Sequence, residues 1–132
     1  MPLTVVLDTN FLTVPAQFGV DIFSETERIL ERSVVFIVLS SVVRELERKL
    51  SDSRGSEASK FRVALGLVER CSIVDYARTG VPVDDQLLDY ARSVRGILAT
   101  NDKDLRTRAS QEKIPVLFLR SKKRLDLLGS VI

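Results

Sequence analysis

Carboxylate side chains that follow apolar runs are the groups in this sequence with the clearest capacity for chemistry. Four of them come after four separate apolar runs, and these are Asp8, Glu45, Asp84 and Asp102. Carboxylates that are brought close together raise one another's pKa unless a cation compensates their charge. Mg²⁺ and Mn²⁺ prefer oxygen ligands and leave coordination positions open for substrate phosphate. The pattern therefore predicts a Mg²⁺ or Mn²⁺ site suited to phosphodiester hydrolysis.

Helical spacing separates adjacent acids at two of these positions. Asp84 lies three residues before the apolar Leu87, which predicts that Asp84 faces the buried side of a helix and that Asp85 points away. The same argument favours Asp102 over Asp104, and Asp104 is kept as an additional candidate metal ligand.

Spacing does not choose between Glu45 and Glu47, because Glu47 lies nearer the apolar stripe of the predicted helix. Glu45 also has an ordinary structural role available to it, as a surface ion pair with Arg48 or Lys49. Geometry alone leaves this position open.

Each of the other acids has an ordinary explanation when it is taken alone. Asp84 and Asp102 are acceptable N-cap residues for the helices predicted after them. Asp8 could form a local turn with Asn10. The case for a site therefore rests on all four acids meeting at one place.

Composition excludes several other kinds of site. The chain has no histidine and a single cysteine, Cys71, which excludes an internal disulfide, the usual zinc sites and every mechanism that needs histidine. Its six glycines are scattered, so neither a P-loop nor a dinucleotide-binding loop is present. The longest apolar stretch, residues 33–43, is shorter than the roughly 20 residues that span a membrane. With no basic leader at the start, we expect a cytoplasmic protein with no membrane partner.

The elements that must position the acids alternate between strand and helix patterns. Five apolar runs predict strands, at residues 3–7, 34–39, 72–74, 97–100 and 116–119. Amphipathic segments predict helices at residues 21–32, from Ser40 or Ser41 to Leu50, at 61–70, from Asp84 to Gly96 and at 102–110, with a loop or helix end at 51–60. This alternation predicts an α/β fold with a parallel sheet of about five strands, whose ligand lies at the carboxyl ends of the strands.

Charge is unevenly distributed along the chain. The formal net charge is +2, but residues 103–124 carry eight bases and two acids. Such a segment suits a bound polyanion, and a solvated basic surface without a ligand is an equal alternative on charge alone. Phe11 and Phe18 are expected in the core rather than as platforms for stacking bases.

The order and spacing of these pieces resemble the PIN domain family of metal-dependent ribonucleases over essentially the whole chain. The matching pieces are residues 5–10, 40–46 and 98–105, together with Asp84 and the apolar residues at 87, 88 and 91. The resemblance implies a single PIN-like α/β/α domain over residues 1–132, with a basic C-terminal segment at about 120–132. It also favours Glu45 over Glu47, and it implies a set of acidic metal ligands and catalytic residues made of Asp8, Glu45, Asp84 and Asp102.

The resemblance further implies an endoribonuclease that cuts single-stranded or structured RNA with Mg²⁺ or Mn²⁺. The similar groups are processing factors of small-subunit ribosomal RNA and VapC-type toxins, which implies a homodimer and either an antitoxin or a pre-ribosomal partner. The basic side chains that would guide the RNA are Arg106, Arg108, Lys122, Lys123 and Arg124. The alternative is an inactive RNA-binding scaffold in ribosome assembly, because a complete acid set does not establish activity.

Two other α/β families with acidic pockets fit less well. A phosphotransfer receiver resembles a pattern with adjacent acids after the first strand, whereas Asp8 stands alone. A phosphatase of the haloacid dehalogenase type would need an aspartate where Asn10 stands.

Overall fold

The computed structural model describes residues 2–76 and 78–131, and it contains a six-stranded sheet between two layers of helices. The strands are β1 (Leu3–Leu7), β2 (Val34–Leu39), β3 (Ser72–Val74), β4 (Ile97–Ala99), β5 (Val116–Arg120) and β6 (Arg124–Leu128). Their order in the sheet is β3-β2-β1-β4-β5-β6, and each neighbouring pair is parallel except β5 and β6. The predicted α/β/α class with a mainly parallel sheet is confirmed.

The central strand β1 is covered on both faces. Its apolar residues Val5, Val6 and Leu7 are completely buried, as expected of a strand whose sequence is continuously apolar. Val5 pairs with Phe36 of β2 and Val6 pairs with Leu98 of β4. A residue that follows β1 therefore emerges at the middle of the sheet edge.

Helices occupy the connections between the parallel strands. They are α1 (Val14–Phe18), α2 (Ile22–Leu30), α3 (Ser40–Ser51), α4 (Gly55–Val68), α5 (Val83–Ser93) and α6 (Lys103–Gln111). Because parallel crossovers are right-handed, the first four helices lie on one face of the sheet and α5 and α6 lie on the other. No helix in the described part of the chain is long and apolar enough to cross a membrane.

Three local predictions were wrong. Residues 55–60 were expected to be a loop or helix end, but they form the first turns of α4, because its apolar face from Ala58 to Phe61 packs against the body of the domain. A 3₁₀ helix (Phe11–Thr13) and α1 follow β1 where no helix was predicted. The serines at the start of α3 do not cap it, since Leu39 holds the N-cap position.

The C-terminal basic segment contains a sixth strand where only a tail was expected. A turn at residues 121–123 reverses the chain, and Ser121 and Lys122 have φ angles of 53° and 63° there. β6 then pairs antiparallel with β5, with Leu125 buried in the core. The last residue of the predicted segment, Ile132, and the first of the predicted domain, Met1, lie outside the described residues.

Candidate active site

A cavity of about 110 Å³ opens at the edge of the sheet where β1, β2 and β4 end. Its polar lining includes the four acids that the sequence singled out, which come from four separate segments of the chain. The lining residues are Asp8, Thr9, Asn10, Glu45, Lys49, Val83, Asp84, Leu87 and Asp102. We refer to this as the acidic cavity.

Asp8 follows β1 and is only 5% exposed. Its Oδ1 accepts a hydrogen bond of 2.7 Å from the backbone N–H of Phe11, and its Oδ2 accepts one from the hydroxyl of Thr100. Burial raises the pKa of Asp8 from 3.8 to about 7, in spite of these two donors, and the carboxylates of Asp84 and Asp102 add to the rise.

Asp102 follows β4 and is the N-cap of α6. Its Oδ1 accepts from the backbone N–H of Leu105 at 2.9 Å, and its own N–H donates to the hydroxyl oxygen of Thr100 at 3.1 Å. The N-cap interpretation of Asp102 is therefore correct, and the same side chain also lines the acidic cavity. Asp104 is exposed and is not among the residues lining this cavity.

Backbone hydrogen bonds fix Asp8 and Thr100, the residue that contacts Asp102, to the sheet. The N–H of Asp8 donates to the carbonyl oxygen of Ala99 at 3.1 Å, and the N–H of Thr100 donates to that of Leu117 at 2.9 Å. The ends of β1, β4 and β5 are thereby tied together directly beneath the cavity.

Glu45 projects from the second turn of α3 into the acidic cavity. Its Oε1 accepts a hydrogen bond from the hydroxyl of Thr9, whereas Glu47 is exposed. The nearest Arg48 nitrogen is 4.0 Å from Glu45, which is a weak surface contact. Lys49 also lines the cavity, although the sequence had suggested only an ion pair for it. The signal available was its spacing of four residues from Glu45 on one helix face.

Asp84 is the second residue of α5 and lines the acidic cavity. The N-cap position belongs to Pro82, so the N-cap interpretation of Asp84 is wrong. The side chain is also more exposed than a place on the buried helix face had suggested. The buried Gln86 holds the preceding turn in place, because its Nε2 donates to the carbonyl of Val81 at 2.9 Å.

Neighbouring charges shift the pKa of Asp84 in opposite directions. Partial burial raises the pKa of Asp84, and the carboxylates of Asp102 and Glu45 raise it further. Arg108 opposes this rise, although its guanidinium group is hydrogen-bonded to Asp85. The cavity therefore contains more negative charge than its own cations compensate.

The basic residues named from the sequence are not among the residues that line the acidic cavity. The guanidinium of Arg106 stacks 4.6 Å from the centre of the Phe118 ring. Because β5 is parallel to β1, the turn that follows β5 lies at the same edge of the sheet as Asp8. That turn and the start of β6 carry Lys122, Lys123 and Arg124.

The donor atoms of the acidic cavity fit a hard divalent cation. Carboxylate oxygens are the ligands that Mg²⁺ and Mn²⁺ prefer. Burial first, and then the neighbouring carboxylates, raise the pKa values of Asp8 and Asp84, and a bound cation would favour the ionised form of both. In residues 2–76 and 78–131, no three acidic or thiol side chains already form a preassembled metal-ligand set. The acids share one cavity without closing around a common point.

Comparison with known proteins gives consistent relatives. The family described as PIN like domain matches residues 5–122. Ribonuclease VapC4 of Methanocaldococcus jannaschii is 34% identical over 130 residues, which are 96% of this chain and 98% of that protein. Ribonuclease VapC9 of Archaeoglobus fulgidus is 39% identical over 89 residues, or 67% of this chain and 64% of that protein.

Solved structures agree with these sequence relatives. The PIN domain endonuclease Utp24 superposes with a TM-score of 0.80 and 26% identity, covering 99% of this chain and 96% of that one. VapBC2 from Rickettsia felis, solved bound to a DNA fragment from its promoter, has a TM-score of 0.63 at 17% identity and covers 89% of this chain and 100% of that one. The second likeness concerns the fold alone.

Proposed function

Because the chain belongs to the PIN-like domain family, we propose that it is a Mg²⁺- or Mn²⁺-dependent endoribonuclease of the VapC type. The observation that carries this proposal is the meeting of Asp8, Glu45, Asp84 and Asp102 at one cavity. The named ribonucleases among its relatives support the same activity.

The four acids would hold the cation, and two threonines hold the acids. Thr100 donates to Asp8 and Thr9 donates to Glu45, so two of the carboxylates are oriented by hydroxyl groups. A bound divalent cation supplies Lewis acidity and neutralises charge on the phosphodiester. The remaining carboxylate oxygens are available to accept a proton from an attacking water.

Among the described residues, Lys49 is the basic side chain that lines the acidic cavity. A lysine ammonium group is a compact point charge that suits a phosphate oxygen. We assign Lys49 to the scissile phosphate, where it would stabilise the charge that develops during cleavage.

Basic side chains at the same sheet edge would guide the rest of the RNA. Arg106 and Arg108 lie on α6, and Lys122, Lys123 and Arg124 lie at the turn between β5 and β6. Contacts of this kind neutralise backbone phosphates without reading sequence.

Cleavage of labelled single-stranded RNA in Mg²⁺ or Mn²⁺ tests the proposal. We expect endonucleolytic cuts that disappear in EDTA and in Asp8→Asn, while Asp52→Asn, which changes an exposed carboxylate at the end of α3, cuts normally. Equal cleavage by the Asp8→Asn protein would rule out the site. Salt-dependent RNA binding without cleavage in any divalent cation would favour the inactive scaffold instead.

We infer a VapC-type role rather than ribosomal RNA processing because the chain is 34% identical to Ribonuclease VapC4 and 26% identical to Utp24, each over nearly its whole length. An antitoxin partner follows from that role and is tested by co-purification from the source cells. The homodimer is tested by light scattering. A pre-ribosomal partner and the cytoplasmic location remain predictions of the sequence.

A further inference from the structure

A second cavity of about 370 Å³ lies beside the acidic cavity and shares Asn10 with it. Its other lining residues include Gln17 and Phe18 from α1, Lys60 from α4, and Asn101 after β4. It opens at the same edge of the sheet, on the face covered by the first four helices. We refer to it as the side cavity.

Phe18 was expected in the core, but 38% of it is exposed. It is the last residue of α1, which ends at Gly19 with a φ of 68°. An aromatic ring left open to solvent beside this cavity is available for stacking against a planar ligand. Stacking on aromatic side chains is how proteins bind unpaired nucleic acid bases.

Asn101 supplies a hydrogen-bond donor of fixed orientation. Its Oδ1 accepts from the backbone N–H of Leu119 at 2.7 Å, which leaves its NH₂ group as the free end of the amide. A donor at this place suits the carbonyl and ring-nitrogen acceptors on the edge of a base.

Lys49 and Lys60, one from each cavity, both lie close to the aromatic ring of Phe61. The ammonium nitrogen of Lys60 lies 5.1 Å from the centre of the Phe61 ring, and that of Lys49 lies 5.8 Å from the same point. Lys60 lines the side cavity and Lys49 lines the acidic cavity. Lys60 also forms an ion pair of 3.1 Å with the exposed Glu57, a surface contact that a phosphate can replace. Among the described residues each cavity is lined by one lysine, so an RNA chain that passes from one cavity to the other meets an ammonium group in each.

We propose that the side cavity binds the base of the nucleotide next to the cleaved phosphodiester. Phe18 stacks on that base, the Asn101 amide donates to one of its acceptors, and Lys60 contacts the adjoining phosphate. Base pairing would keep the base in a duplex stack, so the side cavity selects single-stranded or looped RNA. This inference rests on the proposed ribonuclease function.

An abasic scan tests this assignment. A labelled ten-nucleotide RNA is made with a single abasic residue at each position in turn and cut in Mn²⁺. For the unmodified protein, we expect an abasic residue at one position beside the cut to lower kcat/KM by about 5- to 150-fold, which is the range of a stacked base. In Phe18→Ala, intact RNA is cut more slowly by a similar factor and the abasic penalty at that position disappears.

Two variants control for indirect effects. Phe18→Tyr keeps a ring for stacking and should retain the penalty. Val63→Ala changes a side chain on α4 that is 42% exposed and lines neither cavity, and it should behave as the unmodified protein. An unchanged penalty in Phe18→Ala, or a scan with no sensitive position, would overturn the assignment.

A binding measurement separates this inference from the ribonuclease proposal. The Asp8→Asn protein is mixed with RNA that carries 2-aminopurine at the sensitive position or, where no cutting occurs, at each position in turn. Stacking on Phe18 is expected to quench its fluorescence, and Asp8→Asn with Phe18→Ala is expected not to. Quenching without any cleavage by the unmodified protein would retain the side cavity and remove the ribonuclease. Cleavage with no quenching at any position would retain the ribonuclease and overturn the role of the side cavity.

Discussion

The hydroxyl of Thr100 donates a hydrogen bond to the carboxylate of Asp8, although the two residues are 92 positions apart. The same hydroxyl oxygen accepts from the N–H of Asp102 at 3.1 Å. One fully buried threonine thus connects the acid that follows β1 to the acid that follows β4.

Thr100→Val should therefore damage both stability and activity. The isosteric change leaves Oδ2 of the buried Asp8 carboxylate without its donor, while Oδ1 keeps the Phe11 N–H, and it leaves the N–H of Asp102 without an acceptor. We expect a loss of about 1–3 kcal/mol in the free energy of unfolding, measured by urea denaturation. Because the Thr100 hydrogen bond lowers the pKa of Asp8, the acidic limb of the pH–rate profile should move to higher pH. Thr100→Ser keeps the hydroxyl, and a defect as large as that of valine would contradict this account.

The stability of the cation-free protein should fall as pH rises through a defined window. Asp8 has a pKa of about 7 when folded and an ordinary value of 3.8, so the folded chain holds this proton more tightly. Its contribution is complete below about pH 4 and is lost as pH approaches 7. Asp8→Asn removes this loss, and its stability relative to the unmodified protein should grow across the window by up to about 4 kcal/mol. Denaturation in EDTA at several pH values measures the difference, and a difference independent of pH would refute the prediction.

Binding of Mn²⁺ should compete with protonation of Asp8. The cation needs the ionised carboxylate, so its affinity should fall by about tenfold for each pH unit below 7. Isothermal titration calorimetry at pH 6 and pH 8 measures this change. At a concentration 100 times its dissociation constant, Mn²⁺ should stabilise the fold by about 2.7 kcal/mol. At the same Mn²⁺ concentration, Asp52→Asn is expected to keep the pH dependence of binding and the gain in stability. Asp8→Asn is expected to lose both.

Lys49 should affect cation binding and RNA cleavage in opposite directions. Removing its charge with Lys49→Gln makes the acidic cavity more negative, so Mn²⁺ should bind more tightly. The same change removes a donor to phosphate, so cleavage should slow by about 10- to 100-fold. Arg44→Gln removes a cation from an exposed position on the same helix and should do neither. If Lys49→Gln weakened both measurements together, a purely structural role would be the better explanation.

The lysines of the β5–β6 turn should bind RNA through charge alone. The double variant Lys122→Gln with Lys123→Gln is compared with the unmodified chain by measuring RNA binding at several salt concentrations. Losing two phosphate contacts should reduce the slope of log affinity against log salt by about 1.4 for single-stranded RNA. The matched pair is Arg95→Gln and Lys113→Gln, which removes two charges from the opposite edge of the sheet. Equal slopes for the two pairs would count against a role for the turn.

The arrangement of the acids was predictable because it depends on strand direction. Once β1, β2 and β4 were identified as parallel, Asp8, Glu45 and Asp102 had to meet at one edge. The choice of Glu45 over Glu47 was not accessible from helical spacing, because Thr9 orients Glu45 through a contact between distant segments.

The missed features depend on tertiary packing rather than on local pattern. The start of α4 has the composition of a loop, and it becomes helical because it packs against α3 and the turn after β1. Phe18 was assigned to the core because apolar residues usually lie there. Phe18 is exposed because α1 ends early, at Gly19, and the spacing of apolar residues does not predict that end.

The acidic cavity has two halves with different mechanical properties. The N–H of Asp8 is hydrogen-bonded to Ala99, and the N–H of Asp102 is held by the hydroxyl of Thr100, whose own N–H is bonded to β5. Glu45 and Asp84 are instead carried by α3 and α5 on opposite faces. Helices rest on a sheet through side-chain packing, which permits small tilts that strand hydrogen bonds do not. Asp8 and Asp102 therefore keep a fixed separation. Small tilts of α3 and α5 then set how far Glu45 and Asp84 lie from that pair.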